Sequence, residues 1–468
     1  MSYVINTLSL ILLGNASGCT QTAITSTMKR PSLAVIAPES VKIASQLAPP
    51  FARSNIPIEI YSNTTEVEGL AGGSNQLWAA TRGGLEQYDV TTKKRVALYT
   101  TRDGLPTLCI ESVTLNAKGE PEVVTARHRC VMHSSSQIFV CVARHPAKET
   151  TPTTAFERLE GSPITARWTS ADGTEWVGTA GLGLWVRKGG KLRRVTPPAQ
   201  IVSNHVVAIA EWNSAQYFAT FDRGLSRLDN GNFATISLNS TLLNDIIATP
   251  RELFIATSTG IYKSNDGEVF HPETRVTEST ISDLAYDAKR RVLYATATNS
   301  LWELPLDQPT KKPRSFYLPG GSRSLQAVDV SEDGTVYLAS EDRGVIRRDN
   351  HGQFSGFDRL SGYPSSWATD VLAVNQETAI FASLRHGVFP IGADHASIMG
   401  VFEPWTLFLG RDSQDSDALL VGTQNGAWIV RNRSYQKLEG LPNPCVHTIA
   451  RLSSGLWVGT EGGLAQYR

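Results

Sequence analysis

The chain has 468 residues, of which 19% are charged, and its 44 basic and 44 acidic side chains cancel to a formal net charge of zero. This balance excludes a protein that binds nucleic acid through bulk positive charge, and the 41% hydrophobic fraction excludes a disordered chain. Length alone suggests about three domains, an estimate that the repeats described below replace with one.

The N-terminal segment predicts export from the cytoplasm. The stretch "VINTLSLILLG" is apolar but too short to span a bilayer, and small residues then lead to Cys19 in "NASGCTQT". This pattern predicts a bacterial lipoprotein signal peptide over residues 1–18, with lipid attached to the Cys19 sulfur. Two features depart from it, because the first six residues lack Lys and Arg and Ala16 replaces the usual Leu. A secreted form is the alternative to an envelope protein lipid-anchored to a bacterial membrane, in the outer membrane or periplasm.

Residues 19–53 are rich in Ala, Ser, Thr and Pro, and this composition predicts a tether. The remainder, residues 54–468, is predicted to form the folded domain. No other stretch of the sequence reaches the length of a transmembrane helix.

Ten copies of one pattern fill the folded domain. Each copy runs apolar–aromatic–apolar–small–hydroxyl and continues into a short polar stretch, usually with a Gly and an apolar residue, as in "LWAATRGGLEQY" and "LWVGTEGGLAQY". The hydroxyl position is occupied by Thr81, Thr125, Thr179, Thr220, Thr257, Ala297, Ser340, Ser383, Thr423 and Thr460. The average spacing of about 42 residues predicts an all-β fold, a β-propeller with four-stranded blades.

The two ends of the domain predict how the propeller closes. The last repeat supplies three strands and lacks a fourth, whereas "IPIEIYS", Ile56 to Ser62, precedes the first repeat without a partner. Pairing this segment with the last repeat would remove two exposed sheet edges. We therefore predict one ring of about ten blades closed by an N-terminal strand, with two smaller rings as the alternative.

The motifs "LWVGTEGGLAQY" and "LWAATRGGLEQY", with the links "DGLPTLCIESV" and "EGLPNPCVHTI", resemble the two-component regulator propeller repeats of bacterial sensors. The resemblance is strongest in repeats one, three, nine and ten. It implies a ligand-binding, sensor or interaction module. Many members of that family feed a membrane-spanning kinase or a cyclase, and none is found in this sequence, so any signal would pass through a separate signalling or envelope protein.

Arginine recurs in the turns that this fold places at the channel mouth. These turns read "TRGG", "TARHR", "TFDRG", "SEDRG" and "SLRHG", and histidines and a tryptophan lie beside them or on the links between blades. Arginine binds carboxylate, sulfate or phosphate bidentately, so the pattern predicts an anionic ligand, such as an acidic oligosaccharide. The alternative is that these turns are solvated Asp–Arg pairs. The predicted ligand-binding residues are Arg82, Arg127, His128, Arg223, Arg343, Arg385, His386, Trp367, His205 and His447.

Catalytic and metal-binding signatures are absent from the sequence. It contains no G-x-S-x-G elbow, no H-E-x-x-H and no phosphate loop. The prediction is therefore no cofactor, no catalytic residue and no metal. The partners expected are a small molecule or oligosaccharide, or another envelope protein, with no nucleic acid and with membrane contact only through the lipid. The alternative function is a lyase or glycoside hydrolase whose acid or base lies at the mouth, among Asp222, Asp342, His386, His447 and Glu461.

Cysteines beyond Cys19 leave one disulfide candidate. Cys130 and Cys141 flank the second repeat in strands that could be hairpin partners, and export permits the bond. Two reduced thiols are the alternative.

Overall fold

Antiparallel β-sheet makes up nearly all the regular structure in the computed structural model of this chain. The structure describes residues 58–133, 135–144, 157–198, 201–318, 324–392, 405–431 and 434–468. The predicted signal peptide, the lipidation site Cys19 and the tether lie outside the described residues. Within them, no helix is long and apolar enough to cross a membrane.

Ten sheets correspond one to one with the ten repeats, which confirms the all-β, bladed architecture. We number the blades 1 to 10 in chain order. In each blade, the inner strand is the strand that directly precedes the strand of the repeated motif. Two single-turn 3-10 helices, Thr101–Asp103 and Arg359–Ser361, interrupt the links that precede blades 2 and 8.

The strands of the first five blades are β2 Val67–Gly72, β3 Gln76–Thr81, β4 Gly84–Asp89 and β5 Arg95–Tyr99 in blade 1; β6 Ser112–Leu115, β7 Pro121–Val124, β8 His128–His133 and β9 Ile138–Ala143 in blade 2; β10 Arg158–Leu159, β11 Ser162–Thr169, β12 Glu175–Thr179, β13 Leu184–Lys188 and β14 Lys191–Arg194 in blade 3; β15 Val206–Trp212, β16 Ala215–Thr220, β17 Gly224–Asp229 and β18 Asn232–Ile236 in blade 4; β19 Leu243–Ala248, β20 Leu253–Thr257, β21 Gly260–Ser264 and β22 His271–Pro272 in blade 5.

Those of the other five are β23 Ile281–Asp287, β24 Val292–Ala297, β25 Ser300–Pro305 and β26 Arg314–Tyr317 in blade 6; β27 Leu325–Val330, β28 Val336–Ser340, β29 Gly344–Arg348 and β30 Phe354–Phe357 in blade 7; β31 Ala368–Ala373, β32 Ala379–Ser383 and β33 Gly387–Ile391 in blade 8; β34 Thr406–Asp412, β35 Asp415–Thr423, β36 Gly426–Arg431 and β37 Ser434–Leu438 in blade 9; and β38 Val446–Leu452, β39 Gly455–Thr460, β40 Gly463–Tyr467 and β1 Ile58–Tyr61 in blade 10.

The repeated hydroxyl holds the turn between the second and third strands of a blade. In blade 10 the Thr460 hydroxyl donates to the Gly463 carbonyl at 2.8 Å and accepts the Gly462 N–H at 3.1 Å. Gly463 has a φ of 135°, which a residue with a Cβ rarely adopts. Thr81 makes the same two contacts in blade 1. The hydroxyl and the glycine recur because together they close this hairpin.

The small residue of the motif lets the inner strand of the neighbouring blade approach. A Cβ added at Gly459 of blade 10 would lie 2.8 Å from a methyl group of Val206 in blade 4. The same replacement at Gly422 of blade 9 would meet Val446 of blade 10 at 2.9 Å, and at Gly178 of blade 3 it would meet Val67 of blade 1 at 2.5 Å. These contacts identify which blades are neighbours.

Seven blades form the ring, so the prediction of about ten blades in one ring is corrected. The inner strands of blades 4 to 10 contact one another in order, and that of blade 10 contacts that of blade 4. One apolar cluster at this last boundary joins Val206 and Phe218 of blade 4 to Trp457 and Leu464 of blade 10. We call this boundary the seam. The ten-blade prediction was wrong because spacing along the chain does not show which inner strands touch.

Blades 1 to 3 form a separate unit that we call the stack. The inner strand of blade 1 contacts those of blades 3 and 2, so blade 1 lies between them. Separate apolar clusters fill its two interfaces. The chain therefore runs from the closing strand β1 out into the stack and returns to the ring at blade 4.

The N-terminal strand closes the ring as predicted. Ile58–Tyr61 pairs antiparallel with β40, with Ile58 opposite Tyr467 and Tyr61 opposite Leu464. The Ile58 side chain is 1% exposed and joins the apolar cluster between blades 9 and 10. The ring thus takes its last blade from both ends of the described chain.

Cys130 and Cys141, the pair singled out from the sequence, form a disulfide in blade 2. They are directly opposite one another on β8 and β9. The disulfide cross-links the two outer strands of blade 2. Cys109 and Cys445 are not in disulfides and are partly buried.

Candidate functional site

The ring surrounds a polar channel. Residues from all seven inner strands line a cavity of about 450 Å³. Four of the lining residues are aspartates on the inner strands of blades 5 to 8, and each accepts a backbone N–H from the inner strand of the next blade. The aspartates are Asp245, Asp283, Asp329 and Asp370, and the N–H groups are those of Leu284, Val328, Ala373 and Leu409, at 2.7–3.2 Å.

These aspartates connect the blades rather than forming an open acidic site. Burial raises the pKa of Asp245, Asp283 and Asp329, and the charges of Asp245 and Asp370 raise that of Asp283 further. Asp370 faces the channel and keeps some accessible surface, but the surrounding blades desolvate it and raise its pKa to about 7. The backbone N–H donors make the aspartates part of the scaffold of the channel.

We expect Asp370 to make the ring less stable at neutral pH than at acid pH. A carboxyl whose pKa rises from 3.8 to about 7 on folding adds stability below its unfolded value and loses it as the pH rises through about 7. The difference corresponds to at most about 4 kcal/mol, which solvent screening reduces. Asp370→Asn should diminish the fall in unfolding free energy between pH 5 and pH 8. Asp349→Asn, in an outer turn, should not, and equal pH profiles for Asp370→Asn and the parent would contradict the assignment.

A second group of polar side chains lies at the seam, at the mouth of the channel. His205 directly precedes the inner strand of blade 4, His447 lies on the inner strand of blade 10, and Glu461 lies in the turn after Thr460. The Cys445 carbonyl accepts the Glu461 N–H at 3.1 Å, and the His205 carbonyl accepts the Phe221 N–H at 3.0 Å. The link before each inner strand is therefore fixed to the turn of its own blade, and packing of the blades brings the side chains together.

Three side chains of this seam cluster, His205, His447 and Glu461, have ligand atoms that all lie within 4.8 Å of one another. His447 Nε2 is 3.6 Å from the Glu461 carboxylate and 3.7 Å from Cys445 Sγ. Burial, together with the charge of His447, lowers the pKa of His205 to about 3, so its imidazole is neutral at pH 7. Burial opposes ionisation of Glu461, but the nearby His447 imidazole outweighs burial and lowers the pKa of Glu461 to about 2. A neutral imidazole and a carboxylate can hold a proton or a cation between the blades.

An arginine pair lies where the stack meets the ring. Arg82 comes from blade 1 and Arg223 from blade 4, and both form ion pairs with Glu66, which directly precedes β2. The Arg82 Nε also donates to Glu68 at 2.7 Å. Burial alone would lower the pKa of Arg82. The hydrogen bond to Glu68 and the charges of Glu68 and Glu66 outweigh burial, so the pKa lies above its usual value. The Arg82 guanidinium therefore stays charged at the junction.

Asparagines fasten the junction next to the arginine pair. The Asn204 side chain donates to the carbonyls of Asn63 and Arg82 at 2.9 and 3.1 Å. On the other side, the Leu108 N–H donates to the Pro442 carbonyl at 3.1 Å. These bonds hold the turn of blade 1 against the link that enters blade 4, and the link from blade 1 to blade 2 against the link that enters blade 10.

The ten predicted ligand-binding residues lie in four places: the junction, the seam, blades 7 and 8, and blade 2. Arg82, Arg223, His205 and His447 lie at the junction or the seam. Arg343 and Trp367 belong to blade 7 and its link to blade 8, while Arg385 and His386 lie in the turn of blade 8. The Arg385 guanidinium is 6.0 Å from the ring centre of Trp405. Arg127 and His128 lie in blade 2, away from the rim of the ring.

The turn of blade 4 contains an ion pair of the kind expected for solvated Asp–Arg turns. Arg223 Nε is 3.6 Å from the Asp222 carboxylate, but its terminal amino group is bonded to Glu66 across the junction. Arg223 therefore links stack to ring besides its contact within the turn.

Sequence reasoning missed Glu66, Glu68 and the channel aspartates. Glu66 and Glu68 lie in a segment that no repeat motif covers. The aspartates carried a weak signal, because Asp245, Asp283 and Asp370 each occupy the third position of an inner strand, in "LNDI", "ISDL" and "ATDV". A polar residue at the same point of three apolar strands indicates a shared structural contact.

A ring of seven antiparallel blades around a channel, six of them four-stranded within the described residues, with three further blades inserted into it, defines a β-propeller protein. No protein-family model matches the sequence, and no curated protein matches it. Similar solved structures include a surface component of the type-IX secretion system of Porphyromonas gingivalis, PorZ. It is 13% identical with a TM-score of 0.50, over 87% of this chain and 69% of that one.

Two further similar structures are extracellular domains of proteins described as hybrid two-component systems of B. thetaiotaomicron. The first, BT4673, is 14% identical with a TM-score of 0.46, over 86% of this chain and 69% of that one. The second, BT3049, is 13% identical with a TM-score of 0.48, over 89% of this chain and 63% of that one. At these identities a likeness concerns the fold alone.

Proposed function

We propose that this chain is an exported propeller module that binds an anionic ligand, of the class of acidic oligosaccharides, at the junction of ring and stack. The observation that carries the proposal is the arginine pair. Two guanidinium groups from separate units converge there on one carboxylate. The motif resemblance to sensor propellers supports binding as the role of the module.

The arginine pair keeps donors for a ligand. Arg82 contacts both of its carboxylates through Nε, and its terminal amino groups make no hydrogen bond within the described residues. Its side chain is 37% exposed and that of Arg223 is 34% exposed. Glu66 and Glu68 hold the guanidinium planes in place, so a ligand carboxylate or sulfate meets oriented donors and loses less entropy on binding.

Binding of acidic glycans should depend on the arginine pair. Each charge-assisted hydrogen bond contributes about 1.5–3 kcal/mol, so the double variant Arg82→Gln/Arg223→Gln should bind at least about tenfold more weakly. The measurement is titration calorimetry with oligogalacturonate and sulfated oligosaccharides, beside neutral glycans of equal length.

The matched control is Arg431→Gln, because Arg431 also bonds a carboxylate through Nε and its side chain is 40% exposed, on blade 9. It should bind like the parent, and the double variant should keep a melting temperature near that of the parent. A parent that binds none of the acidic glycans, or a double variant that binds them equally well, would contradict the proposal.

We also propose that lipid on Cys19 anchors the module to a bacterial membrane. The sequence before Cys19 is the support, and diacylation at one cysteine supplies the two chains that stable anchoring requires. Cys19→Ala should move the protein from the membrane fraction to the soluble fraction of lysed cells. A parent already found in the soluble fraction would contradict the anchor and favour the secreted form.

A further inference from the structure

We propose that His205, His447 and Glu461 form a binding site for a divalent transition ion of the Zn²⁺ class, which joins blade 10 to blade 4 at the seam. The three side chains come from three separate backbone segments on two blades. An ion bound by all three would span the boundary at which the ring closes. This site is distinct from the anion site proposed at the arginine pair.

The separations within the cluster suit ligands of one ion. Two donors about 2.0–2.1 Å from a tetrahedral Zn²⁺ are about 3.3–3.4 Å apart. His447 Nε2 and the Glu461 carboxylate are 3.6 Å apart, which is too long for a hydrogen bond but close to that spacing. All three ligand atoms lie within 4.8 Å of one another, so modest side-chain rotations would bring them to a common centre.

The surroundings of the His205 imidazole also indicate a bound ion. Its Nε2 is buried and makes no hydrogen bond within the part of the chain that the structure describes, whereas buried polar atoms in native proteins nearly always have a partner. The ring lies beside that of His447, with centres 4.8 Å apart. A metal ion between the two imidazoles would give this nitrogen the partner that the protein does not provide.

The donor set indicates the class of metal. Two imidazoles and one carboxylate suit Zn²⁺, whereas Ca²⁺ and Mg²⁺ prefer oxygen ligands throughout. The Cys445 sulfur, 3.7 Å from His447 Nε2, is one more soft donor at the edge of the cluster. Glu461 is exposed at the channel mouth, which gives an ion a path into the site.

The test uses the full chain, freed of metal by a chelator and titrated with Zn²⁺ and Co²⁺. We expect about one ion bound per chain and a rise in the thermal unfolding midpoint on addition of Zn²⁺. Bound Co²⁺ should show the visible absorption bands that are typical of a low coordination number. His447→Gln and Glu461→Gln should each weaken Zn²⁺ binding at least tenfold and abolish the rise in midpoint.

His271→Gln is the matched control, because His271 is an exposed histidine on the outer strand of blade 5. It should bind Zn²⁺ like the parent. Glu461 lies in an exposed turn, so Glu461→Gln keeps the test available if a histidine variant fails to fold. A parent that binds no stoichiometric Zn²⁺ or Co²⁺, or Zn²⁺ binding equally strong in Glu461→Gln and the parent, would overturn the proposal. The glycan titration tests Arg82 and Arg223, whereas the metal titration tests the seam cluster. A negative result in one titration therefore does not contradict the proposal tested by the other.

Discussion

Removal of Ile58–Tyr61 should destabilise the ring by about 5 kcal/mol or more. The loss combines an unpaired sheet edge along β40 with the cavity left by Ile58, and a single buried Ile→Ala change already costs about 2–5 kcal/mol. The Tyr61 ring also stacks on Trp457, with centres 5.5 Å apart, and contacts Phe233 of blade 4 at 5.1 Å. The strand therefore stabilises the seam as well as blade 10.

Point variants separate the contribution of packing from that of the strand. Ile58→Ala should cost about 2–5 kcal/mol in chemical denaturation. Glu59→Gln is the matched control on the next residue, because Glu59 faces outward and pairs with Arg468 at 2.7 Å with both side chains exposed. It should cost less than about 1 kcal/mol. A deletion variant with the unfolding curve of the parent would refute closure by this strand.

Much of the fold could be predicted because each repeat contains the residues that shape its own hairpin. The hydroxyl and glycine of a blade close its hairpin through contacts within four residues, as Thr460 and Gly463 show, and the sequence displays these residues directly. The closing strand was also predictable. The last repeat supplies three strands, and the N-terminal segment Ile58–Tyr61 offers a strand without a partner in the first repeat.

The order of blades around the ring could not be predicted, because every blade offers similar apolar faces. Phe218 and Trp457 meet at the seam, yet nothing in their repeats distinguishes them from Phe254 or Trp78, which face other neighbours. The average spacing gives the number of repeats, but it does not show that three of them are inserted into the ring. The ten-blade ring followed from treating neighbours in sequence as neighbours in space.

The same limit applies to the candidate sites. His205 and His447 were predicted at the channel mouth, and Glu461 was one of several carboxylates there, but they converge only because blade 10 packs on blade 4. Likewise, Arg82 and Arg223 look equivalent to Arg343 in sequence. The pair is set apart by Glu66, which comes from outside the repeat motif and lies at the junction.

Replacing residues 64–200 by two or three glycines should leave a folded seven-blade ring. The Asn63 side chain donates to the Ile201 and Val202 carbonyls at 3.0 and 2.8 Å, so the chain leaves the ring and returns to it at nearly the same point. A short linker can span that gap. Within the described residues, the apolar clusters of blades 4 to 10 contain no residue of the stack, so the excision leaves those clusters intact.

The matched control is excision of one ring blade, residues 243–278, which takes members from the clusters on both sides of blade 5. We expect the stack deletion to give a β-sheet circular dichroism spectrum and one cooperative unfolding transition, and the blade deletion to bind a hydrophobic dye and aggregate. The stack deletion loses the ion pair between Arg223 and Glu66, whose side chains are both partly exposed. It also loses junction hydrogen bonds from Leu108, Thr101 and Asn204 to the carbonyls of Pro442, Gly440 and Arg82. Each such bond contributes about 0.5–1.5 kcal/mol, so we expect a ring that is less stable than the parent but folded. An unfolded stack deletion would instead mean that the ring needs the stack to close, and that the three blades are part of its core rather than an insertion.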